Sequence, residues 1–209
     1  NANSTIEFTG DEVDVDSTPI NLQSNWNWIG YLPQISWDVD SALDGATLTH
    51  GDILKTQTSY TNYYGGWGWY PGAADGFLLY PGDGLKLFVA EASTLVYPSD
   101  DQASSSGLVY ELSRSTDEEL MWNVEYQQFE FNGSITSEVK IDGNKVGSDE
   151  DLLAVFSQDG ECRGVAKANQ SPFEEDKYVF LLMAYSNEIN GEALSFSYYD
   201  AVNDIIYDD

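Results

Sequence analysis

Apolar and polar residues alternate one for one over several stretches of the chain. That period marks a strand with one face buried and the other wet. In Glu12-Val13-Asp14-Val15-Asp16 the valines fall on one face and the carboxylates on the other. Glu138-Val139-Lys140-Ile141 repeats the pattern and runs into Asp142-Gly143, a dipeptide that favours a tight hairpin turn. Leu194, Phe196 and Tyr198 alternate with Ser195, Ser197 and Tyr199. The run Tyr178–Tyr185 lacks alternation, which predicts an inner strand covered on both faces. Helical signals are confined to short turns such as Ser41-Ala42-Leu43, which Asp40 is placed to cap. The pattern predicts an all-β chain with at most short helical turns.

The small, polar and acidic stretch from Ser99 to Gly107 cannot pack a core and reads as a linker. It divides the chain into two tandem β-sandwich-like modules, residues 1–100 and 108–209, joined by 101–107. No clear mutual repeat is visible between the two halves. Residues 1–19 are read either as part of the first module or as a separate arm, whose Val13–Val15 strand completes a neighbour's sheet edge. A hydrophobic content of 42%, with 14% aromatic, is enough for real cores in both halves.

Charge then narrows the function. The 209 residues carry 36 Asp and Glu against 8 Lys and Arg, a formal net charge of −28. Nucleic acid and anionic membrane surfaces are bound chiefly through cationic side chains, so neither is an expected partner. With one histidine (His50) and one cysteine (Cys162), the chain cannot build a His/Cys zinc site or an internal disulfide. A Ser-His-Asp or Cys-His pair would have to use His50 itself. Paired carboxylates of the glycosidase kind occur by accident in any chain this acidic, so they carry no specific signal. The longest apolar run is too short to span a bilayer, and membrane insertion is not expected. The chain opens at Asn1 in polar sequence and reads as a mature form or an excised fragment.

The order of motifs adds a resemblance. Trp26-Asn27-Trp28-Ile29-Gly30-Tyr31 is followed by Gly51-Asp52-Ile53-Leu54-Lys55-Thr56-Gln57 and then by Leu79-Tyr80-Pro81-Gly82-Asp83-Gly84-Leu85. This order over roughly residues 20–98 resembles a module of large secreted and cell-surface proteins of marine and gut bacteria, particularly Bacteroidetes. In the second half come Asp151–Phe156, Gly160-Glu161-Cys162-Arg163-Gly164-Val165-Ala166, Tyr178–Tyr185 and Gly191–Asp200. They resemble a companion module of the same proteins, with similar segments in secreted algal proteins. The resemblance implies an extracellular β-sandwich building block with no enzymatic role, surrounded by other copies or neighbouring modules of a surface assembly. The stretch from Gly68 to Gly76 is longer than the resembled pattern and reads as an inserted loop.

Two groups of residues are candidate sites. Tyr60, Tyr63, Tyr64, Trp67, Trp69 and Tyr70 fall within eleven residues, interleaved with Gly65, Gly66 and Gly68. Flat rings on glycine-rich backbone suit stacking on a glycan or a peptide, and the same rings also suit capping the core. Trp67 is expected in the core, because the resembled pattern also has Trp there; Trp69 and Tyr70 are the expected exposed pair. The second group is carboxylate clusters of the kind that hold Ca²⁺, the one cofactor the sequence suggests. They are Asp142, Asn144, Asp149, Glu150 and Asp151 foremost, then Asp11/Asp14/Asp16 and Asp38/Asp40/Asp44, none of which matches an EF-hand loop. No organic cofactor is implied. Sequons at Asn3, Asn132 and Asn169 matter only in a secreting eukaryote. Cys162 beside Arg163 reads as a small apolar strand residue, and Pro81-Gly82-Asp83-Gly84 as a hairpin turn. The expected function is a non-catalytic extracellular or cell-surface module acting structurally or by adhesion. The alternatives are a Ca²⁺-dependent glycan- or peptide-binding module using Tyr60–Tyr70, and a glycoside hydrolase.

Overall fold

The computed structural model describes Gly10 and residues 13–99, 121–174 and 176–209. The expected linker lies outside the described residues, as do Asn3, Asp11 and Glu12. The chain is all-β, with antiparallel sheets and, among the described residues, one five-residue α-helix. It divides into two compact units, one drawn from residues 1–54 and 62–112, the other from 55–61 and 113–209.

The first unit is built on β1 (Ile20–Leu22), β2 (Asn25–Gly30), β3 (Trp37–Asp38), helix α1 (Val39–Leu43), β4 (Ile53–Lys55), β5 (Tyr60–Tyr64), β6 (Gly68–Tyr70), β7 (Leu78–Leu79), β8 (Gly84–Val89) and β9 (Ser93–Leu95). Its main sheet has the order β2-β8-β4-β5-β6, with β1-β9 and β3-β7 as two-stranded ribbons. Period two explains the core. Leu85, Leu87 and Val89 of β8 face inwards with Leu54, and they join one buried cluster with Leu22, Val39, Leu43, Leu79 and Leu95. Each such side chain contributes roughly 1.5–3 kcal/mol by leaving water.

Two expectations fail at the start of this unit. Val13 and Val15 do not share a strand face; Val15–Ser17 is a 3-10 turn, with Val15 buried and Val13 exposed. The hydroxyls of Ser17 and Thr18 donate to the Asp14 carbonyl, at 3.2 and 2.8 Å, and this local bonding competes with a sheet ladder. Helix α1 starts earlier than expected. Asp38, not Asp40, is its N-cap, accepting the Ser41 N–H at 2.9 Å. The Pro81-Gly82 turn forms, with Gly82 at φ 88° and the Asp83 N–H donating to the Tyr80 carbonyl. It joins β7 and β8, which lie in different sheets, so it is not a hairpin turn.

The second unit contains β10 (Phe131–Ser137), β11 (Val139–Ile141), β12 (Asn144–Val146), β13 (Leu152–Ser157), β14 (Cys162–Gln170), β15 (Tyr178–Ser186), β16 (Leu194–Asp200) and β17 (Ile205–Asp208). The six-stranded sheet has the order β10-β15-β14-β13-β16-β17. β15 is an inner strand buried on both faces, Phe180 and Leu182 on one and Met183 and Tyr185 on the other. Leu194, Phe196 and Tyr198 turn together into the core, as their alternation requires. Asp142 and Gly143, at φ 52° and 81°, form the turn between β11 and β12.

Structure reveals a repeat that the sequence hides. In the first unit β4, β5, β6 and β8 have the spatial order β6-β5-β4-β8; in the second, β13, β14, β15 and β16 have the order β15-β14-β13-β16. Each is two successive hairpins followed by a strand that returns to the free side of the first.

Candidate functional site

The aromatic loop is the β5–β6 hairpin, and its exposure is the reverse of the expectation. Trp67 stands 70% exposed at the tip, while Trp69 and Tyr70 are buried. Tyr63 and Tyr64 are half-buried and Tyr60 is buried. The cause is Asp40, released from helix capping. Its Oδ1 accepts the Trp69 N–H at 3.0 Å and its Oδ2 the Ala73 N–H at 2.9 Å. A Cβ on Gly68 would lie 2.7 Å from Oδ1, and one on Gly72 2.8 Å from Oδ2, so these glycines let the loop close on the carboxylate. The Trp69 ring then turns inwards and meets Tyr63 edge to face, with centroids 5.4 Å apart. Burial, followed by the nearby Asp75 charge, pushes the Tyr70 hydroxyl well above its ordinary value. Of the six rings of this loop, Trp67 alone is exposed.

Asp151 also has a different task from the one expected. It is 2% exposed, and its carboxylate accepts the Ser148 N–H and hydroxyl (both 2.7 Å), the Ala201 N–H (2.9 Å) and the Tyr198 hydroxyl. A carboxylate has about four lone-pair sites, so this one is saturated by the protein. Asp52 in the first unit has the same role. It is buried and accepts the Thr49 N–H (2.8 Å), the Thr49 hydroxyl (3.0 Å) and the Ala90 N–H (2.9 Å). In both cases the carbonyl of the aspartate receives a bond from the next strand, the Tyr63 N–H onto Asp52 and the Ala168 N–H onto Asp151. The two aspartates are equivalent clasps. Each ties the start of the central strand to the residue just after the returning strand.

The other expected ligands of the second unit are spread over two turns. Asp142 and Asn144 are exposed beside the β11–β12 turn, and Asp149 and Glu150 are exposed in the turn that precedes Asp151. Glu150 lies 3.8 Å from Lys167. Asp38 and Asp40 are occupied with backbone N–H groups, as described, and Asp14 offers its carbonyl to Ser17 and Thr18. Among the described residues, no group of three or more His, Cys, Asp and Glu is arranged to hold a metal ion.

Cys162 is half-buried and burial raises its thiol pKa, the opposite of activation. The neighbouring guanidinium is engaged elsewhere. The register shifts where β14 passes Val155 and Phe156, leaving Arg163 as the extra residue of a bulge. Arg163 pairs with Glu161 at 2.6 Å and Glu192 at 2.7 Å and lies over the Phe129 ring. Asn132 is exposed on β10, whereas Asn169 is half-buried on β14 and donates to the Lys167 carbonyl. His50 is exposed and meets the Tyr64 ring edge to face.

Comparison with protein families, curated proteins and solved structures finds no match to this chain. Its site is therefore read from its own residues. What sequence reasoning missed is the pair of clasps, although each carries a local signal. Thr49-x-x-Asp52 and Ser148-x-x-Asp151 both place a hydroxyl three residues before an acid that opens an apolar strand.

Proposed function

We propose that the chain is a non-catalytic extracellular module that works by adhesion within a surface assembly. The observation that supports this most directly is the use of the interior carboxylates. Asp52 and Asp151, the two most deeply placed acids among the described residues, hold backbone N–H groups and hydroxyls and point into the protein. That chemistry builds a stiff scaffold and leaves neither acid free for proton transfer. The contact groups presented outwards are large rings, with Trp28 and Trp67 the most exposed of the tryptophans. Rings of this kind supply contact area at little entropic cost. The partners on this reading are glycans and other modules of the same assembly.

The test is retention of the labelled chain on immobilised polysaccharides and on surfaces coated with the chain itself, with reducing ends assayed in the same wells. Retention without release supports the proposal. Release of reducing ends by the wild-type chain would sink the non-catalytic part, and retention on neither surface would sink the adhesive part.

A further inference from the structure

The largest exposed aromatic group lies away from the expected loop, on strand β2. Asn27 and Ile29 face inwards, so Trp26 and Trp28 project from the opposite face, 39% and 79% exposed. Asn27 makes that orientation rigid. Its amide donates to the carbonyls of Gln23, Asn25 and Leu87, and its oxygen accepts the Gln23 N–H. Across the ladder, Trp26 is opposite Phe88 and Trp28 opposite Lys86. Trp26 and Phe88 meet edge to face at 5.4 Å. Lys86 Nζ lies over both indoles, 4.7 Å from the Trp26 centroid and 5.3 Å from that of Trp28. The result is a contiguous platform of three rings and one ammonium on the outer face of the main sheet. β2 ends the order of that sheet.

We propose that Trp26, Trp28 and Lys86 bind a neutral pyranose chain, an inference that rests on the adhesive reading above. Charge selects the occupant. A polyanion is repelled by a net charge of −28, against which the chain before Arg114 sets only Lys55 and Lys86. A cationic partner meets Lys86, whose ammonium lies over both indoles and repels a second cation at the rings. What fits is an uncharged ligand with flat, weakly positive C–H faces for the rings and oxygens for the ammonium protons. A sugar chain has both.

The experiment uses the whole chain and hexasaccharides of β-1,4-glucan, β-1,3-glucan, mannan and xylan, with oligogalacturonate as the anionic control. Tryptophan fluorescence and calorimetry read the binding. At least one neutral hexamer is expected to bind and shift the fluorescence. Trp28→Ala should weaken it at least tenfold and Lys86→Gln a few-fold, both with melting temperatures near wild type, and oligogalacturonate should not bind. Binding left intact by Trp28→Ala overturns the platform while the adhesive reading stands. Tighter binding of oligogalacturonate overturns the neutral ligand. Failure of every neutral hexamer overturns the proposal as well. Sedimentation then decides the cause: loss of self-association in Trp28→Ala assigns the platform to a second copy, and no self-association removes the adhesive reading too.

Discussion

The two units share a chain path but spend their carboxylates differently. In the first, Asp38, Asp40, Asp52, Asp75 and Asp83 each accept a backbone N–H. In the second, Glu138 pairs with Lys140, Lys145 and Lys177, Glu174 with Lys145 and Lys177, and Glu161 and Glu192 with Arg163. Every acid in the first group is an aspartate and every one in the second a glutamate. The short side chain reaches a nearby N–H while keeping the turn closed, and the longer one reaches across to a cation. Sequence supply runs the same way, since Lys55 and Lys86 are the only basic residues before Arg114. A unit poor in cations is therefore held by groups that salt does not screen. The second unit adds a surface ladder that salt does screen. Asp151 and Asp200 cross between the two styles, accepting backbone N–H groups inside the cation-rich unit.

The comparison can be broken most severely in the first unit. Trp69→Ala should cost about 3–5 kcal/mol in urea unfolding, the usual range for deleting a buried ring. Trp67→Ala, at the exposed tip, should stay within about 0.5 kcal/mol. Equal losses would mean that Asp40 does not turn the loop as described. The clasps come next. Asp151→Ala orphans a buried hydroxyl and two N–H groups and should cost about 3 kcal/mol; Asp52→Ala, with no tyrosine partner, should cost about 2 kcal/mol. Hydrogen exchange should show the first loss in β13 and β16 and the second in β4 and β8. A costlier Asp52→Ala would reverse the ranking.

Acidity separates the units by a smaller margin. The Ser186 hydroxyl and Arg163 hold Glu192 below the ordinary carboxylate range, and the Lys140 bond, with Lys145, does the same for Glu138. Their contribution is complete above the unfolded value of about 4.3 and is lost as pH falls through the lower folded values. Urea titrations from pH 6 to pH 3 should show β10–β17 losing exchange protection with this profile. The opposite sign applies to Tyr198, which burial and then its bond to Asp151 push upwards. Its contribution is intact below about 10 and lost as pH rises through the folded value, so Tyr198→Phe should flatten the alkaline limb. Smallest of all is Lys145→Gln, which should lower the urea midpoint slightly at low salt and leave it unchanged in about 1 M NaCl. A larger effect would promote the ladder from surface decoration to framework.

Much of the fold was legible because it rests on period two and on turn chemistry. Leu194-Phe196-Tyr198 faces inwards and Asp142-Gly143 turns, as their spacing requires. Tyr178–Tyr185 runs inside the sheet because it has no wet face to offer. The failures share one cause, a carboxylate or hydroxyl reaching a partner that spacing alone does not reveal. Asp14 draws Ser17 and Thr18 into a turn, so Val13 and Val15 never form a strand. Asp40 reaches residues about 30 positions away, which inverts the exposure of Trp67 and Trp69. Asp151 looked like a ligand because its neighbours are acidic, and its real partners lie 47 and 50 positions further on. The repeat between the units escaped for a related reason. The strand path is kept while the residues along it are not, and only the hydroxyl-x-x-Asp turn survives as a common mark.

The clasps also bear on how the chain is made. The N–H that satisfies Asp52 belongs to Ala90, and the one that satisfies Asp151 belongs to Ala201, so each arrives on the ribosome dozens of residues after its acceptor. Until then the carboxylate at the head of the strand destined for the middle of the sheet has only the local Thr49 or Ser148 donors and water as partners. That charge keeps the half-finished hairpins hydrated and discourages them from pairing with another nascent chain. Docking becomes favourable only when the returning strand delivers the missing donor. Each aspartate thus makes full satisfaction of its strand's buried head depend on the returning strand of its own sheet.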